Sequence, residues 1–268
     1  MESYMQLYIL AFIVACVLHR LNNQPDDDIG VKALNISTWK FICVGVLFGI
    51  LARVSQILLW LIARALKYEK TEFISVIILC LTTLILTLAA IKFFHGLSRE
   101  VVQGTRPFLR TLKSAIYSLG LTLPIFFGTS FLWGVFLRLA QFLGVSVDLS
   151  PQNVVQWFSH PEDLFVTVIR IVTIVAIAPI LEEIIFRGFI YRMLKGRGSK
   201  FIAAGFTSFI FAVVHWNLLA FVGLFTLSIC LIKIYEHSAD LREPILVHAL
   251  FNAITVTGLL WNSHVTTI

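Results

Sequence analysis

Apolar residues in this chain run in long blocks, and polar residues collect between them. A bilayer crossing needs about 20 apolar residues, with about 17 to 25 the usual range. Eight blocks approach that length: Tyr4–Leu18, Trp39–Leu66, Phe73–Phe94, Ala115–Val145, Leu164–Leu194, Phe201–Trp216, Leu218–Tyr235 and Ile245–Trp261. The first is short. The fifth is long enough to tilt, or to break at Pro179. Only Asn217 separates the sixth from the seventh, so these two can form a bent pair. The pattern predicts an all-α fold, a polytopic membrane helix bundle of about eight transmembrane helices.

The linkers fit that reading. Residues 22–28 read NNQPDDD, a polar loop, and residues 195–200 read KGRGSK, a tight basic turn. Residues 98–113 carry basic and apolar positions together, as a surface-lying amphipathic piece would. The opening MESYM has no Lys or Arg ahead of the first apolar run, so that run reads as a retained helix and not as a secretory signal peptide.

Composition agrees. Mean hydropathy is +0.89 and 13% of residues are charged, about half the fraction usual in soluble domains. Lys and Arg outnumber Asp and Glu by 21 to 15. The excess lies between the apolar runs, where it sets topology, so no nucleic-acid partner is expected. Loops after the first, third, fifth and seventh runs hold Arg20, Lys32, Arg99, Arg106, Arg110, Lys113, Arg192, Lys195, Arg197, Lys200, Lys233 and Arg242. The opposite side holds Arg64, Lys67 and Lys70. The positive-inside rule makes the first set cytoplasmic and turns both termini away from the cytoplasm. Cys16, Cys43, Cys80 and Cys230 fall in four different runs with no CxxC spacing, as small apolar fillers do.

Three apolar runs of the C-terminal half carry polar residues that are costly in hydrocarbon. Glu182 and Glu183 stand side by side, with Arg187 one turn on. Even the gentlest insertion scale puts a central carboxylate at roughly 2.5 kcal/mol or more. Glu183 and Arg187 are four apart and share a helix face, whereas Glu182 is rotated by about 100 degrees. One carboxylate is then neutralised while the other stays available; a purely structural ion pair is the alternative. Phe211 and His215 form a second set, and His248 and Asn252, also four apart, a third. A histidine taken alone in such a place is usually structural or interfacial, and His248 with Asn252 also fits a pair of interhelical hydrogen-bonding groups.

Depth links the three sets. At about 1.5 Å per residue, Glu182 lies about 20 Å along its helix from Lys195, and His215 about 22 Å from Lys200. From Arg242, His248 and Asn252 lie about 9 and 15 Å along theirs. Arg53, Arg138 and Arg170 have room to snorkel, and His19, His95, His160, His237 and His264 sit at segment ends or in loops.

Glu182-Glu183-x-x-x-Arg187, Phe211-x-x-x-His215 and His248-x-x-x-Asn252, in that order and inside PILEEIIFRGFIYRML and PILVHALFNA, resemble the three motifs of the CAAX-protease and bacteriocin-processing (Abi-type) family of intramembrane proteases, which includes the type II CAAX prenyl endopeptidases. The resemblance covers roughly residues 164–257. It implies a division into N-terminal transmembrane helices over 1–163, about four of them, and a catalytic core over 164–268.

The resemblance further implies peptide-bond hydrolysis in a cavity open to the cytoplasm, in a multi-pass protein of the plasma membrane. Glu182 would be the general base that activates water, with His215 holding or polarising that water. His248 and Asn252 would donate to the oxyanion, with Glu183, Arg187 and Phe211 in support. The chemistry suits the residue types: a carboxylate in a low-dielectric cavity is a better base, and oxyanion donors there are stronger than in water. The expected partners are a membrane-associated protein or peptide substrate and the lipid bilayer. No cofactor is expected; the alternative is zinc on Glu182, His215 and His248, although HExxH is absent. Two other classes compete. One is a non-catalytic scaffold or bacteriocin-immunity-type protein of the same fold. The other is a proton-coupled transporter, which would want ionisable groups reaching both sides. The seventh run reads FTLSICLIKIYE where relatives often carry glycines, which would narrow the cavity.

Overall fold

The computed structural model describes residues 31–34, 37–65, 71–97, 106–150, 155, 157–158 and 164–266. Among them are seven long helical stretches: α1 (Thr38–Ala65), α2 (Thr71–Leu97), α3 (Phe108–Phe142), α4 (Leu164–Lys195), α5 (Lys200–Val213), α6 (Phe221–Ser238) and α7 (Arg242–Thr266). The described residues contain no strand. The all-α expectation holds, and the second to eighth apolar runs each fall on one helix. The expected first run, Tyr4–Leu18, and the NNQPDDD loop lie outside the described residues.

Six of the seven helices are long and apolar enough to cross a membrane. The exception is α5. Its 14 residues rise about 21 Å, short of a hydrocarbon core about 30 Å thick. About eight crossings are therefore not reached among the described residues. The exposed faces of α1 and α3 are strongly apolar, with Leu47, Ile50, Val54, Ile57, Leu58 and Leu61 on α1 and Phe127, Phe131, Leu132 and Phe136 on α3. Patches of that extent are tolerated against lipid and not against water. The chain is an integral, multi-pass membrane protein.

Local chemistry sets the helix ends. α3 stops at Gly144, whose φ of +87° favours glycine. There Gly144 N–H bonds the Gln141 carbonyl and Val145 N–H the Ala140 carbonyl, the paired closure of a Schellman motif. α5 starts where the Ser199 side chain accepts from Ile202 N–H, a serine N-cap. α6 ends on Ala239 in a left-handed conformation, and Asp240 Oδ1 at once accepts from Arg242 N–H to start α7.

The bent pair is realised by α5 and α6. Their connection turns at Trp216, with φ of +47°, and Asn217 Oδ1 caps it by accepting from Ala220 N–H. Asn217 Nδ2 donates to the Ser150 carbonyl, and Trp133 Nε1 to the Leu218 carbonyl. The turn is thus fastened to α3 and its C-terminal extension. At the opposite end, Lys195 is buried and donates to both oxygens of Glu236 at 2.9 Å and to the Val31 carbonyl. Arg192 Nε donates to the Lys32 carbonyl. Two of the basic residues expected to set topology therefore also fasten residues 31–34 to the end of α4.

Two packed clusters form the interior. One joins Ile184, Phe189, Ile190, Met193 and Leu194 of α4 to Ala203, Ile210 and Phe211 of α5 and to Ile232 and Tyr235 of α6. The other joins Ala115 and Leu119 of α3 to Leu227 and Leu231 of α6 and to Val247 and Phe251 of α7. Close approach of α3 and α6 depends on Gly223, where a Cβ would collide with Ser130 Oγ and the Phe126 ring. Gly223→Val is expected to lose about 1–3 kcal/mol, the usual effect of overpacking. Gly120→Ala, where the added carbon meets nothing, should be neutral or stabilising. Thermal unfolding in detergent of both variants checks the pair.

Candidate active site

The polar residues of α4 stand between two irregular stretches. Thr173–Ile177 and Ile184–Tyr191 are wound as π-helix, and Ala178–Glu183 between them is α-helical. The expected break at Pro179 does not occur; the helix continues with a widened turn ahead of the proline. Ala178 N–H bonds the Thr173 carbonyl five residues back. In that register the Ile174 carbonyl should receive the N–H of residue 179, and proline has none. A bare carbonyl at membrane depth costs several kcal/mol. Asn252 of α7 fills the gap, its Nδ2 donating to the Ile174 oxygen at 2.9 Å.

Glu183 is fully buried and holds the centre together. Its Oε1 accepts from Arg187 Nη1 at 2.9 Å and from His248 Nδ1 at 2.9 Å. The first bond is the i,i+4 pair anticipated on this helix face. Arg187, equally buried, turns its other amino group to α6 and donates to Ser228 Oγ at 3.0 Å. Its guanidinium carbon also sits 4.8 Å from the Phe211 ring centre, in cation–π range. One ion pair thereby engages α4, α5, α6 and α7.

His248 faces both glutamates. Because a carboxylate only accepts, the 2.9 Å bond to Glu183 puts the hydrogen on Nδ1. Nε2 is left facing Glu182 Oε2 at 3.8 Å. That gap is too long for a direct hydrogen bond. Glu182 Oε2 is buried and has no hydrogen-bond partner among the described residues, although the Glu182 side chain as a whole is 29% exposed. The carboxylate is at a rim, with one oxygen turned inward.

Phe211 is the apolar hub beside these groups. It is fully buried and packs edge-on to Phe186, with His215 and His248 ring centres 4.8 and 5.9 Å away. His215 is half-buried, and its Nδ1 lies 2.7 Å from the Phe211 carbonyl. A carbonyl only accepts, so Nδ1 carries the hydrogen and Nε2 the lone pair. Glu182, Glu183, Arg187, Phe211 and His248 are thus drawn together, with His215 against Phe211. Among the described residues no hydrogen bond or ion pair joins His215 to Glu182. Asn252 is engaged with a helix carbonyl and not with either glutamate.

No three His, Cys, Asp or Glu side chains converge as metal ligands among the described residues. Nδ1 of each histidine is committed, at 2.7 and 2.9 Å, to an oxygen acceptor, which leaves Nε2 as the nitrogen each could offer a ligand.

Three participants were not anticipated. Ser228 sits in the run expected to narrow the cavity, yet it serves as the anchor for Arg187. The Ile174 carbonyl carries no side-chain signal at all; only Pro179 five residues on hints at it. Arg170, assigned to snorkelling, is instead buried, with Nη1 donating to the Trp157 carbonyl at 3.1 Å.

Orphaning a buried carbonyl costs about 1–3 kcal/mol, so Asn252→Ala is expected to destabilise the fold by that amount. Pro179→Ala restores an N–H, and Asn252→Ala should then cost less than half as much. A double-mutant cycle by thermal or denaturant unfolding measures this coupling; additive effects would refute it.

Comparison with known proteins falls on the same region. Residues 164–254 match the family described as Type II CAAX prenyl endopeptidase Rce1-like. The stretch runs from the start of α4 into α7 and contains Glu182, Glu183, Arg187, Phe211, His215, His248 and Asn252. An 86-residue stretch is 35% identical to the UPF0177 protein YaiF of Lactococcus lactis subsp. lactis (strain IL1403). It covers 32% of this chain and only 38% of that protein. No solved structure matches the chain significantly. The three-motif segment that builds the site, residues 164–254, is thus the part of the chain that is similar to the Type II CAAX prenyl endopeptidase Rce1-like family, a family of membrane proteases.

Proposed function

We propose that this protein is an intramembrane endopeptidase of the glutamate type, hydrolysing a peptide bond in a membrane-associated protein or peptide. One observation carries the reading: Glu182 Oε2 is buried, faces His248 Nε2 at 3.8 Å and receives no hydrogen bond from the described residues. A buried carboxylate oxygen without a donor needs an explanation, and a reacting water is a donor that this gap can admit.

In the proposed reaction, Glu182 takes one proton from water as the hydroxyl oxygen bonds to the scissile carbonyl carbon. His215 Nε2 accepts the second water hydrogen and orients the attack. The carbonyl oxygen becomes an oxyanion. His248 protonated on Nε2 donates to it while Nδ1 stays on Glu183, and the second N–H of Asn252 is the other donor. The C–N bond then breaks, and Glu182 returns its proton to the leaving amine. Glu183 and Arg187 hold His248 in register and touch no reacting atom.

No metal enters this scheme. The basic-loop asymmetry, twelve against three, supports a cavity facing the cytoplasm from the plasma membrane. Nothing in the site calls for a prenyl group on the client.

Comparison of cellular protein N-termini between wild-type and Glu182→Gln strains tests the reading. General acid–base catalysis is worth about 10²–10⁴-fold, and loss of one oxyanion donor about 10²–10³-fold. Glu182→Gln and His248→Ala should therefore remove the new N-termini, with unfolding temperatures showing that both variants fold. Cleavage that persists in Glu182→Gln would falsify the mechanism. A chelator should leave the rate unchanged; inhibition reversed by added zinc would instead support the metal-dependent alternative.

A further inference from the structure

A groove of about 760 Å³ opens between α5 and α6 at the end of the bundle that carries the basic loops. Its volume is within the range of ligand pockets. No residue assigned above to the reaction lines it. The wall is apolar, with Phe201, Ala204 and Gly205 on α5 and Ile229 and Ile232 on α6. Among the described residues, the mouth carries Arg106, Lys200 and Lys233 against a single carboxylate, Glu236. That carboxylate already accepts from Lys195 and Tyr191, so the mouth is cationic.

Gly205 gives the groove meaning. Glycine inside a helix forfeits stability relative to alanine, and it is usually tolerated where a neighbour packs close. Here a Cβ would meet nothing within 4 Å. Among the described residues no protein group uses the space that this glycine leaves; the same is true at Gly120, but Gly205 lines the groove. From Lys233 down to Ile229 the rise is about 6 Å, and from Lys200 to Gly205 about 7.5 Å, room for the headgroup-proximal part of a hydrocarbon chain lying along the helices. Lys233 is one turn beyond Ile229 on the same α6 face, and Lys200 opens α5. A ligand that fits has an acyl chain below and a negative headgroup above.

We propose that this groove binds an anionic phospholipid, its chain against Ala204, Gly205, Ile229 and Ile232 and its phosphate at Lys200 and Lys233. Basic residues beside a membrane helix attract acidic lipid headgroups. A free phosphate would use the cations and leave the apolar wall wet, and a zwitterionic lipid would use the wall and gain little from the cations. The proposal does not depend on catalysis.

The test is native mass spectrometry of the full-length protein, delipidated in detergent and titrated with phosphatidylglycerol or phosphatidylcholine of identical chains. Phosphatidylglycerol is expected to bind at least about tenfold tighter, from roughly fivefold per lysine. Lys200→Gln with Lys233→Gln should abolish that preference, and Lys200→Arg with Lys233→Arg should keep it. Gly205→Leu, which grows into open space, should weaken phosphatidylglycerol without lowering the unfolding temperature of the lipid-free protein. Inorganic phosphate at millimolar concentration should not displace the lipid. Equal binding of the two lipids, a preference that survives the double glutamine variant, or displacement by phosphate or an acidic peptide would each overturn the assignment.

Discussion

The buried pair of Glu183 and Arg187 is the interaction on which the rest of the site depends. Removing one partner of such a pair typically costs 3–5 kcal/mol, because the other is left charged in a dry interior. Here the pair also does positional work. Glu183 fixes the His248 ring from α7, and Arg187 reaches Ser228 on α6 and the Phe211 face on α5. Three helices are thereby referenced to one turn of α4. Without that reference, His248 Nε2 would have no reason to face Glu182.

The backbone supplies a second constraint of equal standing. In hydrocarbon every carbonyl must find a donor. Pro179 cannot donate to the Ile174 carbonyl, and the widened turn ahead of it passes the Ala178 N–H to Thr173. The deficit is met from α7 by Asn252. Proline, widened turn and asparagine are therefore one device spread over two helices. It locks α7 against α4 one turn beyond the point where His248 meets Glu183. The two contacts together fix both the position and the rotation of α7.

Sequence spacing captured what lies within a single helix. Glu183 and Arg187 pair as four-residue spacing requires, and Glu182 points elsewhere, as its 100-degree rotation demands. Helix identities were legible because each apolar run is long. What spacing could not supply was the partner across helices. His248 and Asn252 share a face, yet one meets a carboxylate and the other a backbone carbonyl. Ser228 carried no signal within its bulky run because its function depends on where Arg187 arrives. Arg170 was assigned to snorkelling for the same reason: its acceptor, the Trp157 carbonyl, lies 13 residues earlier in the chain, outside its own helix. The π-helical turns leave no periodic signature at all; Pro179 was read as a possible break, when the chain instead answers it with a wider turn.

Charge balance connects this architecture to the proposed chemistry. The centre holds two carboxylates, one guanidinium and one imidazole. With both glutamates ionised and Arg187 charged, one negative charge is left over at membrane depth. His248 Nε2 and Glu182 Oε2 face each other across 3.8 Å beside that charge. In the proposed reaction, as Glu182 takes a proton from water a negative charge would appear on the substrate oxygen, beside His248 and Asn252, so the total is unchanged. The reaction then moves charge over a short distance within a fixed set of dipoles and never creates it in the membrane. That is the condition under which a dry site favours catalysis. It explains why Glu183 must be neutralised by Arg187 rather than by His248 alone.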